Sequence, residues 1–301
     1  MRTVCMRYFD AEIIENHQLG GGYFRLGIDG CSALAESRPG QFAMVRGDWD
    51  RDPLLPRAFS ILGVDATGRA CILAKTVGRG TALLEHAPAG TRLSVLGPLG
   101  TPFPEPSPDH TDLLVGGGVG IPPLFMQAEL ASRRGLSRQA EILYGGRRGE
   151  DLVLLGEMRR LGVGLFLTTE DGSVGGRGLV TAELSARLAH HRELARGERG
   201  AGLRKHRIMA CGPNAMLWAV AEIARQHDVP CFVSVEENMA CGIGVCLGCA
   251  VPTHSRPFRY ACKDGPVFDA TDLVIPLVIP LVIPLSTGRP VHRSAAGDSD
   301  K

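Results

Sequence analysis

Short runs of apolar, β-branched and aromatic residues punctuate the first hundred positions: FAMVRG (42–47), AFSILGV (58–64), RACILAKTV (69–77) and TRLSVLG (91–97). Turn-forming residues separate them, and strands at this spacing predict an antiparallel barrel or sandwich. From residue 111 the rhythm changes. The apolar run TDLLVGGG (111–118) passes through glycines into IPPLFMQAELASRRG, which has helical periodicity, and then into a second strand, AEILYGG (140–146). Strand, glycine turn, helix and strand form a βαβ unit. The alternation continues through a helix opening on the acidic start of EDLVLLGEMRRLG, the strand GLFLTTEDG, the helix TAELSARLAHH, the strand HRIMACGP and the helix NAMLWAVAEIARQHD. Residues 111 to 230 therefore predict a parallel α/β domain.

Between these patterns lies TPFPEPSPDH (101–110), with proline at every second position from 102 to 108, the composition of an extended, semi-rigid linker. The expected division is a β-barrel over 1–103, an α/β domain over 104–231, a cysteine-bearing domain over 232–270 and a low-complexity tail over 271–301. Three copies of Leu-Val-Ile-Pro run from Leu273 to Pro284. Proline at every fourth residue excludes a helix interior, and the run is too short to span a bilayer.

Composition narrows the function. Lys plus Arg (33) nearly balances Asp plus Glu (32), so no global basic field points to nucleic acid. Asp10, Glu12 and Glu15 stand where a secretory signal needs an apolar core, and the expected compartment is the cytoplasm. In a reducing compartment nine cysteines point to metal or redox chemistry rather than disulfides. Cys5, Cys31, Cys71 and Cys231 stand apart and read as small buried apolar residues.

Four of the other five cysteines are patterned. Cys241, Cys246 and Cys249 are spaced C-x4-C-x2-C, and Cys262 follows after twelve residues. This is the plant-type [2Fe-2S] spacing, in which one loop supplies three thiolates and a more distant cysteine the fourth. Gly242, Gly244 and Gly248 leave room for amide N–H groups to approach the sulfurs. Zinc is the alternative, but structural zinc is usually gripped by two short knuckles, and only one x2 pair is present.

Two further runs carry cofactor signals. VGRGTALLEHAPAG (77–90) opens a short helix whose free N–H groups favour a phosphate. VGGGVGIPPLF (115–125) sets Gly116, Gly117, Gly118 and Gly120 between an apolar strand and a helix, a place for backbone to approach a pyrophosphate, though without the G-x-G-x-x-G fingerprint. CGPNAM (211–216) ends another strand on the same edge.

Taken in order, R-x-F-S, G-x-G-T, GGGVGIPPL, EDGSVGGRG, CGPNAM and SVEENMACGIGVCLGC resemble the electron-transfer subunits of bacterial dihydroorotate dehydrogenase, within the ferredoxin–NADP reductase superfamily. The resemblance runs from about residue 5 to 270. It implies an FAD-binding β-barrel, an α/β domain for a nicotinamide nucleotide and a C-terminal [2Fe-2S] domain. By resemblance, the R-x-[YF]-S motif falls on Arg57, Ala58, Phe59 and Ser60, which places Arg57 on the FAD phosphates and Ser60 near the flavin's reactive edge. Ala58 replaces the more usual proline. Gly80 and Thr81 match the second FAD phosphate turn, and Leu73, Ala74 and Lys75 fall on a strand lining the cofactor. Gly117, Gly118, Val119 and Gly120, with Cys211, Gly212 and Pro213, match the loops facing NAD. Glu236 matches a glutamate ahead of the cysteine loop.

The implied partner is an FMN-containing catalytic subunit, in a heterotetramer of two chains of each kind. It oxidises dihydroorotate, so no general acid or base is expected in this chain. Two alternatives remain at this point: an NAD(P)H-dependent ferredoxin or sulfide reductase subunit, and a metal-binding interaction module without turnover.

Overall fold

A computed structural model describes residues 6–49, 52–64, 69–197 and 205–274. The N-terminal part is a closed antiparallel barrel of six strands, so the barrel of the two expected architectures is the one adopted. Its strands are β1 (Arg7–Gly20), β2 (Tyr23–Asp29), β3 (Phe42–Gly47), β4 (Arg57–Val64), β5 (Ala70–Lys75) and β6 (Arg92–Leu99), with a helix, α1 (Arg79–Glu85), between the last two. Around the barrel the order is β1-β2-β5-β4-β3-β6, and β1 closes it by pairing with both β2 and β6.

Several barrel strands read as continuous apolar runs because both of their faces are buried. Alternate side chains such as Phe24, Ala43, Phe59 and Ile72 fill the barrel interior. Their neighbours point outward into two other cores: Tyr23, Leu62 and Leu73 pack with one side of the α/β layer, and Phe42, Met44 and Leu99 with the cysteine segment.

The second layer is a seven-stranded sheet ordered β10-β9-β8-β7-β11-β12-β15. The strands are β7 (His110–Gly117), β8 (Ala140–Gly146), β9 (Gly164–Thr169), β10 (Gly176–Arg177), β11 (Lys205–Cys211), β12 (Cys231–Ser234) and, after two short strands β13 (Ala250–Val251) and β14 (Arg259–Tyr260), β15 (Val267–Asp269). The first six pair in parallel and β15 adds an antiparallel edge. The helices are α2 (Ile121–Arg133), α3 (Leu155–Arg160), α4 (Val180–Gly197) and α5 (Asn214–His227). Pro122 and Pro123 open α2, where a missing N–H costs nothing.

Three expectations shift. The helix expected from Glu150 is instead a single tight turn at Gly149–Asp151, a non-helical Leu152–Leu154 that ends with Leu154 in the left-handed region (φ 63), and only then α3. Leu152, Val153 and Leu154 are all buried, and three consecutive buried side chains do not fit one stripe of a helix. The cysteine segment, expected to begin at 232, starts inside β12 and returns to the sheet as β15, so its two ends are strands of the α/β layer. Its far end is also ordered beyond 270: Leu273 is buried and bridges to Thr253. The remaining Leu-Val-Ile-Pro copies lie outside the described residues. The proline-rich linker is clamped: Arg207 on β11 donates to the Glu105 carbonyl at 2.5 Å while pairing with the buried Asp112.

Among the described residues no helix is long and apolar enough to cross a membrane. Cys31 and Cys231 are buried, as expected, and burial pushes each thiol up to about 12; Cys71 is half-buried, and Cys5 lies outside the described residues.

Candidate functional site

A cavity of about 1050 Å³ opens where the barrel, the C-terminal edge of the sheet and the cysteine segment meet. Small-molecule sites commonly measure roughly 300–1,000 Å³, so the space suits a large cofactor. Open α/β sheets gather ligands at this edge.

The barrel wall holds Arg57, Ala58, Phe59 and Ser60 from β4, Leu73, Ala74 and Lys75 from the adjacent β5, and Thr81 from α1. Thr81 fixes the turn into that helix. Its hydroxyl accepts the Val77 and Gly78 N–H groups at 3.0 and 3.1 Å and donates to the Gly78 carbonyl at 2.9 Å. Gly80 is not itself on the wall; it leaves the space that the Arg57 guanidinium occupies, since a Cβ there would overlap it. Arg57 also donates to the Leu55 carbonyl.

The sheet contributes Val119 and Cys211. Gly117, Gly118, Gly120, Gly212 and Pro213 do not line the cavity; most of them pack the turn after β7 against the turn after β11. A Cβ on Gly117 would stand 3.0 Å from Pro213 Cδ, and one on Gly120 would run into the Cys211 carbonyl. The close approach of the two turns is what brings Val119 and Cys211 to the same space. Burial pushes the Cys211 thiol far up, the Glu236 carboxylate adds to this, and the Ser234 hydroxyl opposes it.

The third wall is the segment Ser234–Ala240 with Gly248. Glu236, singled out in the sequence, lies here, and burial raises its carboxyl above the ordinary range. Val235, Glu237, Asn238, Met239 and Ala240 were missed as site residues; their signal was adjacency to Cys241 in the run VEENMAC. The cavity wall thus continues directly into the cysteine loop.

That loop folds tightly against the barrel: Gly242 has φ +71, and a Cβ on it would stand 2.5 Å from Met44 Cγ. Cys241 Sγ accepts the N–H groups of Cys246 at 3.4 Å and Ile243 at 3.5 Å. Cys249 Sγ and Cys262 Sγ lie 3.2 Å apart in the buried half of the site. Among the described residues no set of three or more His, Cys, Asp or Glu side chains closes around one point; the thiols approach in pairs, Cys241 with Cys246 and Cys249 with Cys262. Four sulfur donors, with backbone N–H groups aimed at Cys241 Sγ and, from Cys262, at Cys249 Sγ, form a donor set suited to an iron–sulfur cluster.

Comparison with known proteins agrees with this anatomy. Residues 236–274 match the iron-sulfur cluster binding domain of dihydroorotate dehydrogenase B, and residues 114–222 match the oxidoreductase NAD-binding domain. The dihydroorotate dehydrogenase B (NAD(+)) electron transfer subunit of Geobacillus kaustophilus is 35% identical over 265 residues, covering 84% of this chain and 93% of that protein. The electron transfer subunit homolog of Aquifex aeolicus is 33% identical over 271 residues, covering 88% and 98%. Among solved structures, an NADH-dependent reduced ferredoxin–NADP oxidoreductase superposes with a TM-score of 0.71 at 29% identity, covering 88% of this chain and 89% of that one. On identity sustained over nearly its whole described length, the chain belongs to the family of dihydroorotate dehydrogenase B (NAD(+)) electron transfer subunits.

Proposed function

We propose that this chain is the electron-transfer subunit of a cytoplasmic, NAD+-linked dihydroorotate dehydrogenase in pyrimidine biosynthesis. The observation that carries the reading is that one cavity is walled jointly by the barrel, by Val119 and Cys211 at the edge of the sheet, and by the segment that leads into the cysteine loop. Arg57, Ala58, Phe59, Ser60, Leu73, Ala74, Lys75, Gly80 and Thr81 are the residues that would hold FAD. Gly117, Gly118, Val119, Gly120, Cys211, Gly212 and Pro213 would hold NAD, and Cys241, Cys246, Cys249 and Cys262 a [2Fe-2S] cluster. Bound there, FAD would exchange two electrons with a nicotinamide and single electrons with the cluster, linking NAD+ to the FMN of a catalytic partner.

This chain's residues supply binding and shielding. Arg57 offers a guanidinium fork suited to phosphate. Phe59 and Leu73 give the cavity apolar wall, and the barrel side of the cysteine loop is closed to water by Met44 and Leu99. The outer side of that loop is apolar and exposed at Ile243, Val245 and Leu247 around the exposed Cys246, a surface suited to the catalytic subunit in a heterotetramer of two and two.

A second reading, an NAD(P)H-dependent ferredoxin or sulfide reductase subunit, draws on the 29% identity to the ferredoxin–NADP oxidoreductase. Purification with the neighbouring subunit, followed by iron, sulfide and flavin analysis and an assay of orotate-dependent NADH oxidation, tests the choice. One FAD and one two-iron cluster per chain with orotate-linked turnover are expected; zinc without flavin would sink the reading. Ferredoxin or polysulfide reduction without the partner would favour the second.

A further inference from the structure

Asp151 joins the barrel to the glycine turn of the sheet, though in the sequence it stands only in the acidic start of an expected helix. It sits in the tight turn after β8. Its Oδ1 accepts Lys75 Nζ at 2.8 Å and the Tyr23 hydroxyl at 3.2 Å, both from the barrel. Its Oδ2 accepts the Arg147 and Arg148 N–H groups at 3.1 and 3.3 Å, so all the bonds to the carboxylate are charge-assisted. The Asp151 carbonyl accepts from Tyr144 Oη at 2.9 Å, and the same hydroxyl lies 3.1 Å from the Gly118 carbonyl. Gly118 is held from the other side too, since a Cβ on it would stand 3.3 Å from the Tyr23 hydroxyl.

The path is continuous. It runs from Lys75 on the cavity wall, through Asp151 and Tyr144, to Gly118, the residue before Val119 on the opposite wall. Tyr23 is buried almost completely, with a relative exposure of 1%, so its hydroxyl has no solvent to turn to if the Asp151 carboxylate is lost, whereas the buried Tyr144 bonds the main chain of this turn and so carries its position on to Gly118. Lys75 also lies over the Tyr23 ring, 4.4 Å from its centroid, which fixes the ammonium at the junction.

We propose that Asp151 is a positioning residue that sets the spacing between the barrel wall and the Gly117–Gly120 turn, and with it the alignment of nicotinamide to flavin. This rests on the cofactor assignment above. Hydride transfer requires the two rings within a narrow range of distance and angle, so slack at this junction should slow transfer at saturation more than it weakens NADH binding.

The test uses the full chain with its flavin, mixed rapidly with NADH while visible flavin absorbance is followed. For Asp151→Asn the saturated rate of flavin reduction should fall about tenfold, or ~1.4 kcal/mol, with bound flavin unchanged. The NADH concentration giving half that rate should stay within about twofold. Tyr23→Phe, which removes one of the two barrel bonds, should slow reduction by about threefold. A wild-type rate in Asp151→Asn overturns the proposal, as does a slowdown that excess NADH restores. Loss of flavin in Asp151→Asn together with a wild-type rate in Tyr23→Phe also overturns it, because the acid would then serve only folding. Absence of flavin from the wild-type chain overturns the cofactor assignment itself, and this inference with it.

Discussion

Within one loop the cysteine thiols meet opposite surroundings. Burial opposes ionisation of Cys241, but the N–H groups of Cys246 and Ile243 outweigh it and bring the thiol down to about 6. Cys249 lies buried against Cys262, whose own thiol burial and the Cys249 contact push up to about 12. Serine at 249 keeps the size but is a harder and far less acidic donor, so it is a poor ligand for iron. Cys249→Ser should leave NADH-driven flavin reduction intact while electron exchange with the partner falls by about 100-fold or more, as assays of the two half-reactions would show. Equal loss of both would mean that the flavin and cysteine sites are not separable. Gly120 tests the packing of the two turns. A methyl group there meets the Cys211 carbonyl, backbone that cannot move aside, and overpacking of this kind costs about 1–3 kcal/mol. Gly120→Ala should therefore lower the thermal midpoint and slow NADH-driven reduction; a midpoint equal to wild type would show slack between the turns.

At the scale of elements, α4 is fastened to the sheet by an acid rather than by apolar contact alone. Glu141 on β8 accepts two bonds from Arg187, at 2.7 and 3.0 Å, and lies 3.2 Å from His191 Nε2; Arg187 also stacks 4.1 Å from the centre of the Phe166 ring. Burial would raise the Glu141 carboxyl, but the bonds from His191 and Arg187 override it and hold it at about 2. A carboxyl lowered on folding contributes stability above its unfolded value, and that contribution drains away as the pH falls toward the folded one. Glu141→Gln should thus cost about 2 kcal/mol near neutral pH, the worth of hydrogen bonds to a charged group. In denaturant titrations the difference from wild type should shrink as the pH falls from 4.5 toward about 2. A cost independent of pH would refute the ion pair. This clamp was not legible in the sequence, where Glu141 is one polar residue in the strand AEILYGG. The strands and helices around it were, because their periodicity reflects burial on one face or two. α3 misled because its leading apolar run is buried while non-helical, a choice made by packing and not by propensity.

For the molecule as a whole, the sequence marked segments well and their meeting place poorly. Arg57, Lys75, Val119, Cys211 and Met239 share one cavity, yet they come from five separate stretches, and no local pattern records that they converge. The cysteine spacing was legible because one loop contains most of the ligand set; the Asp151 junction was not, because Tyr23, Tyr144 and Asp151 are ordinary residues in their own elements and nothing local ties them to Lys75 and Gly118. The same convergence governs stability. One buried core unites Tyr23, Leu62 and Leu73 of the barrel with Leu114, Ile121 and Tyr144 of the α/β layer. Another unites Phe42, Met44 and Leu99 with Val233 of the sheet and Cys249, Ala261 and Cys262 of the cysteine segment. Unfolding the barrel alone would expose the partner side of both cores to water, at roughly 25 cal/mol for each Å² of apolar surface laid bare. The sequence division at the proline linker predicts separable domains, whereas these shared cores predict one cooperative unit. Calorimetry of the full chain should accordingly give a single transition, with the calorimetric enthalpy equal to the van't Hoff value. Two resolved peaks would mean that the linker, and not the shared packing, sets the unit of folding.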